Sequence, residues 1–145
     1  MSTKIVYNTV IMISIKTKYG CAVVLELACS EHSLVSIKAL AERCSVPKKY
    51  LEQLLNALRK AGIVESVRGK DGGYKLAKSA SDISVLDIAH VLEHRLSFSD
   101  SYSGGSVLLD FWKSVDKSME TSFNRTVQSL VEKKKEHDKC LNFCI

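Results

Sequence analysis

The sequence predicts a mainly α-helical fold with a small β-wing, and three stretches carry that prediction. The first is residues 36–43, a short amphipathic helix that breaks at Cys44-Ser45-Val46-Pro47 and gives way to a longer one. The second is Arg68-Gly69-Lys70-Asp71-Gly72-Gly73, a basic, glycine-rich tip between the short runs 63–67 and 74–76, which read as the two strands of a hairpin. The third is an apolar stripe that returns at Val107 and holds to about Lys135. Together they describe a winged helix-turn-helix domain followed by a long C-terminal dimerisation helix.

Taken in order, residues 1–11 read as an N-terminal extension with Met12 as the natural start, and a short edge strand is the competing reading. Residues 12–92 then form the winged domain. Its first helix contains Cys21-Ala22-Val23-Val24-Leu25-Glu26-Leu27-Ala28, apolar on nearly all sides, and so is expected as the buried hub. Ser36 caps the next helix. The longer helix after Cys44 is expected to carry Pro47 at its first position, where a missing N–H costs nothing, with Ser45 or Val46 as its cap. On it Leu51, Leu54, Leu55 and Leu58 share one face, whereas Lys48, Lys49, Glu52, Gln53 and Asn56 share the other. Ala61-Gly62 stops it.

After the wing, residues 78–82 form a polar turn, and residues 83–92 read as a further amphipathic helix with its cap at Ser84. Residues 93–106, rich in Ser and Gly, read as a mobile loop or linker. The helix of 107–136 places Leu108, Phe111, Trp112, Val115, Met119, Phe123, Val127 and Leu130 on one stripe. At about 1.5 Å per residue it is longer than a small domain needs. A second copy of the chain is the economical partner for its stripe, and folding back on its own domain is the alternative. Residues 137–145 form a C-terminal tail that is apolar again from Cys140.

Charge is uneven: residues 1–78 hold 13 Lys/Arg against 6 Asp/Glu, whereas residues 79–145 hold 8 against 10. The cationic excess travels with the helix pair and wing, as expected if phosphates are the partner. No run reaches transmembrane length, so no membrane partner is expected. Five cysteines, Cys21, Cys29, Cys44, Cys140 and Cys144, form an odd set without a paired framework, which points to a reducing cytoplasm. The first three fall in segments that read as helical and buried. The motifs of metalloproteases, nucleophile-elbow hydrolases and phosphate-loop enzymes are all missing, so no enzyme is expected.

In a helix-turn-helix the start of the second helix enters the major groove of double-stranded DNA. Lys48, Lys49, Tyr50, Glu52 and Gln53 are therefore expected on that approach, with Glu52 able to accept from cytosine and Gln53 able to pair with adenine. Ser36 and Lys38 suit phosphates. Arg68 and Lys70 at the wing can reach the neighbouring minor groove. A dimer of such heads implies a palindromic operator. A winged-helix protein-interaction module without DNA binding is the competing class.

Ile13-Ser14, Lys18-Tyr19-Gly20, Tyr50-Leu51-Glu52-Gln53-Leu54-Leu55, Leu58-Arg59-Lys60-Ala61-Gly62-Ile63-Val64, Ser66-Val67-Arg68-Gly69, Gly72-Gly73-Tyr74 and Ile83-Ser84-Val85-Leu86-Asp87-Ile88 resemble the Rrf2 family of bacterial transcriptional regulators. The resemblance runs from about Met12 to Leu92. It implies a winged helix with a long C-terminal helix that swaps across a homodimer, and it assigns base reading to Lys49, Glu52 and Arg68. Lys49 departs from the small residue that some members carry there, so the operator sequence is not inherited.

Many members of that family hold an iron–sulfur cluster on three cysteines in the loop before the long helix. Here residues 93–106 contain no cysteine, so no cofactor of that kind is expected. Other sensors weighed are His90 with His94, four apart on one helix but lacking a third ligand; His137 with Cys140 and Cys144, spaced for zinc or thiol chemistry; and the lone thiols, of which Cys44 at the turn couples most directly to DNA. No metal site is expected. The cysteine-free loop and the ending Phe143-Cys144-Ile145 resemble the subgroup that represses cysteine and sulfur-assimilation genes. That resemblance implies that Phe143 and Ile145 offer O-acetylserine sulfhydrylase an isoleucine carboxylate; a tail packed on the dimer helix is the alternative.

Overall fold

A computed structural model describes residues 13–100, 102 and 104–144. The expected extension 1–11 and the terminal Ile145 lie outside the described residues. Among the described residues, six helices and one hairpin follow in order: α1 (Ile15–Cys29), α2 (Ile37–Cys44), α3 (Lys48–Lys60), β1 (Val64–Val67), β2 (Gly73–Leu76), α4 (Val85–Leu92), α5 (Ser106–Phe123) and α6 (Val127–Phe143), with a 3₁₀ turn at Ala80–Asp82.

The core forms where α1, α2, α3, α4 and α6 converge. Val23, Val24 and Leu27 of α1 meet Leu40 of α2, Leu51, Leu54, Leu55 and Leu58 of α3, Ile88 of α4, and Val127 and Val131 of α6. The expected apolar face of α3 is thus the buried one. Each fully buried side chain of this size contributes roughly 1.5–3 kcal/mol relative to exposure.

Local signals behave as the sequence dictates. The Ser36 hydroxyl accepts the Ala39 amide at 3.2 Å, and Ser84 with Asp87 forms a reciprocal capping box. Gly62 takes φ +74° just after α3, a left-handed conformation that side chains resist. One detail differs: Pro47 has extended backbone (ψ 131°) and occupies the capping position, so α3 begins one residue later than expected.

β1 and β2 pair antiparallel with Val67 opposite Gly73 and Val64 opposite Leu76. The wing is anchored by Val35, which exchanges both backbone hydrogen bonds with Tyr74 at 2.8 and 2.9 Å. Gly73 is required by that approach, since a Cβ there would lie 2.7 Å from the Val35 carbonyl oxygen.

The single long helix expected over 107–136 is corrected. It is broken at Asn124–Thr126, and the second half continues through Phe143, taking in most of the stretch expected as a tail. The break contains neither Pro nor Gly and is imposed by long-range pairing: the Val85 amide donates to Arg125 O at 2.9 Å and the Val127 amide to Ile83 O at 2.8 Å. Thr126 then caps α6 through the Ser129 amide. Val127 therefore leaves the α5 stripe and, with Val131, packs into the chain's own core. Lys134 and Arg43 both pair with Glu26 of α1, at 3.7 and 3.2 Å, tying α6 and α2 to the same helix.

α5 buries none of its residues, and Val107, Leu108 and Phe111 are at least half exposed. Val115, Met119 and Phe123 are partly covered, while Trp112 stacks on Phe98 with ring centroids 6.3 Å apart. The loop expected to be mobile is held here by Asp116, whose carboxylate accepts the amides of Phe98 and Ser99 and the hydroxyls of Ser97 and Ser99. Burial alone would raise the Asp116 carboxyl, but these four donors bring it down to about 2.

Candidate nucleic-acid interface

The exposed edge of α3 and the wing bound an open cleft of about 850 Å³. Glu52, Asn56 and Arg59 supply one wall, the wing residues 66–70 with Gly72, Gly73 and Tyr74 the other, and Ser36 and Ile37 one end. Four expected site residues, Ser36, Glu52, Arg68 and Lys70, are brought together here. The Ser36 oxygen is committed to its cap, which leaves its O–H free to donate. Asn56 and Arg59 were not singled out from the sequence as site residues. Their signal is the spacing 52, 56, 59, one ridge along the helix, and the Arg59 guanidinium donates to the Asn56 amide oxygen at 3.1 Å.

Lys49, Tyr50 and Gln53 do not share that cleft. They turn to the opposite edge of α3 and, with Lys16 of α1, border a second hollow of about 350 Å³. At about 100° per residue, Glu52 and Gln53 diverge around the helix, so the residues expected on one approach border two spaces. Lys38 and Lys48 are exposed and border neither space. Lys75 pairs with Glu65 across the hairpin at 2.8 Å.

The α1 side of this surface is fixed by Glu93. Its Oε1 accepts the Ser14 amide and hydroxyl, each at 2.7 Å, and the Thr17 hydroxyl at 2.6 Å. Burial opposes ionisation of Glu93, but the hydrogen bonds from Thr17 and Ser14 and the nearby His94 outweigh it and lower its pKa. The start of α1 is thereby clamped to the end of α4.

The sensor candidates do not converge. α4 ends at Leu92, so His90 and His94 do not share a helix as expected. Cys29 is exposed rather than buried, because α1 buries its Val24/Leu27/Ala28 side instead. Burial pushes the Cys21 thiol up to about 11. Cys44 is also raised, by burial and then by Glu26, against the opposing pull of Lys134 and Arg43, so neither thiol is primed as a thiolate. Cys140 and Cys144 are exposed. Among the described residues, no three His, Cys, Asp or Glu side chains are grouped to hold a metal ion. The segment before α5 offers serine, tyrosine and carboxylate oxygens, a donor set that does not fit a thiolate-bound iron–sulfur cluster. No helix of the described residues is long and apolar enough to cross a membrane.

A helix pair with an anchored wing and a polar helix edge open to solvent defines a winged helix-turn-helix DNA-binding regulator. Comparison with known proteins makes the assignment specific. The Rrf2 family, described as iron-dependent transcriptional regulators, matches residues 13–133, and the chain belongs to this family. It is 34% identical over 132 residues to a helix-turn-helix-type transcriptional regulator of Neisseria meningitidis, covering 85% of this chain and 89% of that one. It is 41% identical over 87 residues to the regulator CymR of Bacillus subtilis, covering 59% and 62%. Among solved structures, IscR of T. potens superposes with a TM-score of 0.76 at 38% identity, covering 86% of this chain and 89% of that chain. The structure of CymR, titled the global cysteine regulator of B. subtilis, superposes with a TM-score of 0.76 at 31% identity, covering 83% and 95%. The protein is thus a transcriptional regulator and not an enzyme.

Proposed function

We propose that the protein is a cytoplasmic, sequence-specific repressor that binds a palindromic operator as a homodimer, works without an iron–sulfur cluster and governs cysteine or sulfur-metabolism genes. The observation that carries the DNA reading is the edge of α3 opening beside the wing, where Glu52 and Arg68 border one cleft. Glu52 reads bases in the major groove from the wing-side edge of α3, and Lys49 reads them from the other edge, where Gln53 and Tyr50 support it. Arg68 and Lys70 enter the minor groove, and Ser36, Lys38 and Lys48 contact phosphates. The half-exposed Leu108 and Phe111, with Val115, Trp112, Met119 and Phe123, provide the apolar face through which two copies of α5 pair. Likeness to CymR supports the sulfur connection, and the cysteine-free segment before α5 supports cluster-free sensing.

Selection of bound fragments from the source genome tests the whole reading. Fragments lying upstream of cysteine and sulfur-assimilation genes and sharing an inverted repeat support it; fragments without a common site overturn it. Cluster absorption bands in anaerobically purified protein would overturn the cluster-free assignment. A protein-interaction module without DNA binding would show none of the steep salt dependence of a phosphate-contacting protein.

The tail supports two further roles. Phe143 is 89% exposed next to the terminal residues, which suits capture of the Ile145 carboxylate by O-acetylserine sulfhydrylase. Deleting Ile145 should abolish that binding, and unchanged affinity would exclude it. The exposure of Cys140 and Cys144 favours a second reading, a thiol-responsive regulator. Under that reading peroxide releases operator DNA from the wild type but not from a Cys140→Ser/Cys144→Ser protein.

A further inference from the structure

We propose that Lys16, in the first turn of α1, binds a backbone phosphate of the operator, so that DNA lying on α3 is gripped from both flanks, by the wing on one side and by α1 on the other. The inference rests on the DNA-binding reading above and adds a contact that neither the sequence pattern nor the wing implies.

Two polar edges flank the exposed ridge of α3. The wing-side edge holds Glu52, Asn56 and Arg59. The other edge holds Lys49, Tyr50 and Gln53, and the hollow they form with Lys16 is bordered by two cations, a phenol and an amide, with no carboxylate among them. An adjoining recess of about 170 Å³ shares Lys16, Tyr50 and Gln53 with it and is otherwise lined by Leu54, Ala57, Val91, Leu92 and His94. Lys16 adds positive charge on the α1 side of this hollow, the flank of α3 along which the sugar-phosphate strand bordering an occupied groove runs.

The backbone beneath Lys16 is fixed from two directions. Glu93 holds its neighbours Ser14 and Thr17 through three hydrogen bonds. Tyr19, one turn further on, packs against Tyr50 of α3 with ring centroids 6.4 Å apart. Only the side chain of Lys16, which is exposed, must be ordered on binding. An ammonium group is a compact charge with donors and no acceptor, and it suits a phosphodiester better than the patterned edge of a base.

The experiment measures operator binding by the full-length protein, and by Lys16→Gln and Lys16→Arg, as a function of salt. If Lys16 neutralises one phosphate, the Gln variant loses about 0.9 from the magnitude of the log K against log salt slope. It also weakens operator and non-specific duplex by the same factor, and the Arg variant keeps the wild-type slope. A Gln variant with the wild-type slope overturns the proposal, as does a loss confined to one operator base pair. An unchanged slope combined with saturable binding of inorganic phosphate by the wild type alone would assign the hollow to a free anion and also overturn it. Wild-type protein that shows no salt-dependent duplex binding would instead defeat the DNA-binding reading itself.

Discussion

Phe111→Ala is the sharpest test of the proposed α5 pairing. Phe111 is 52% exposed in the isolated chain, and its neighbour Leu108 on the same face is 50% exposed. A phenylalanine buries roughly 200 Å² when fully covered, so pairing would remove about 100 Å² more of Phe111 from water. At about 25 cal/mol per Å² that is about 2.5 kcal/mol per side chain. A two-fold interface contains the residue twice, giving about 5 kcal/mol per dimer as an upper figure. The dimer dissociation constant should then rise by up to about three and a half orders of magnitude. Sedimentation equilibrium over a wide concentration range measures this directly. Thermal melting of the variant separates loss of pairing from loss of fold, because Phe111 lies outside the buried core and meets Trp112 edge-on at 5.1 Å. A variant that dimerises as tightly as wild type would refute α5 as the interface.

Other outcomes follow from the same structure. Arg68→Ala should weaken operator binding by about 1–3 kcal/mol in a mobility-shift titration, and full retention would remove the wing from recognition. Val131→Asp, at a site 3% exposed against the core, should destabilise the monomer by about 3 kcal/mol or more in urea unfolding; a neutral result would contradict the folding back of α6. The Asp116 carboxyl lies at about 2 in the folded chain against an ordinary 3.8, so its contribution to holding residues 97–99 is present above 3.8 and is lost as the pH falls through about 2. Amide exchange at Phe98 and Ser99 should accelerate in Asp116→Ala even at neutral pH, and unchanged protection would discount the clamp.

Features that depend on near neighbours are readable in the chain before it folds. The buried face of α3, the caps at Ser36 and Ser84, the stop at Gly62 and the glycine-rich hairpin all arise from interactions within a few residues, so spacing and residue type reveal them. The family motifs span this same local region. Part of the candidate interface was legible too: the exposed position of Glu52 on a helix edge and of Arg68 and Lys70 at a hairpin tip are both local features, whereas their bordering one cleft with Ser36 is not. Only the tertiary structure decided which polar residue faces which neighbour. Helical periodicity shows that Lys49, Glu52, Gln53 and Arg59 avoid the core, but the positions of the wing and α1 divide them between two spaces. It also decided the fate of the C-terminal stripe. An apolar stripe states that it must be covered, not by what, and the pairing of Ile83 and Val85 with Arg125 and Val127 bends the chain so that α6 covers its own domain while α5 keeps its apolar face in solvent.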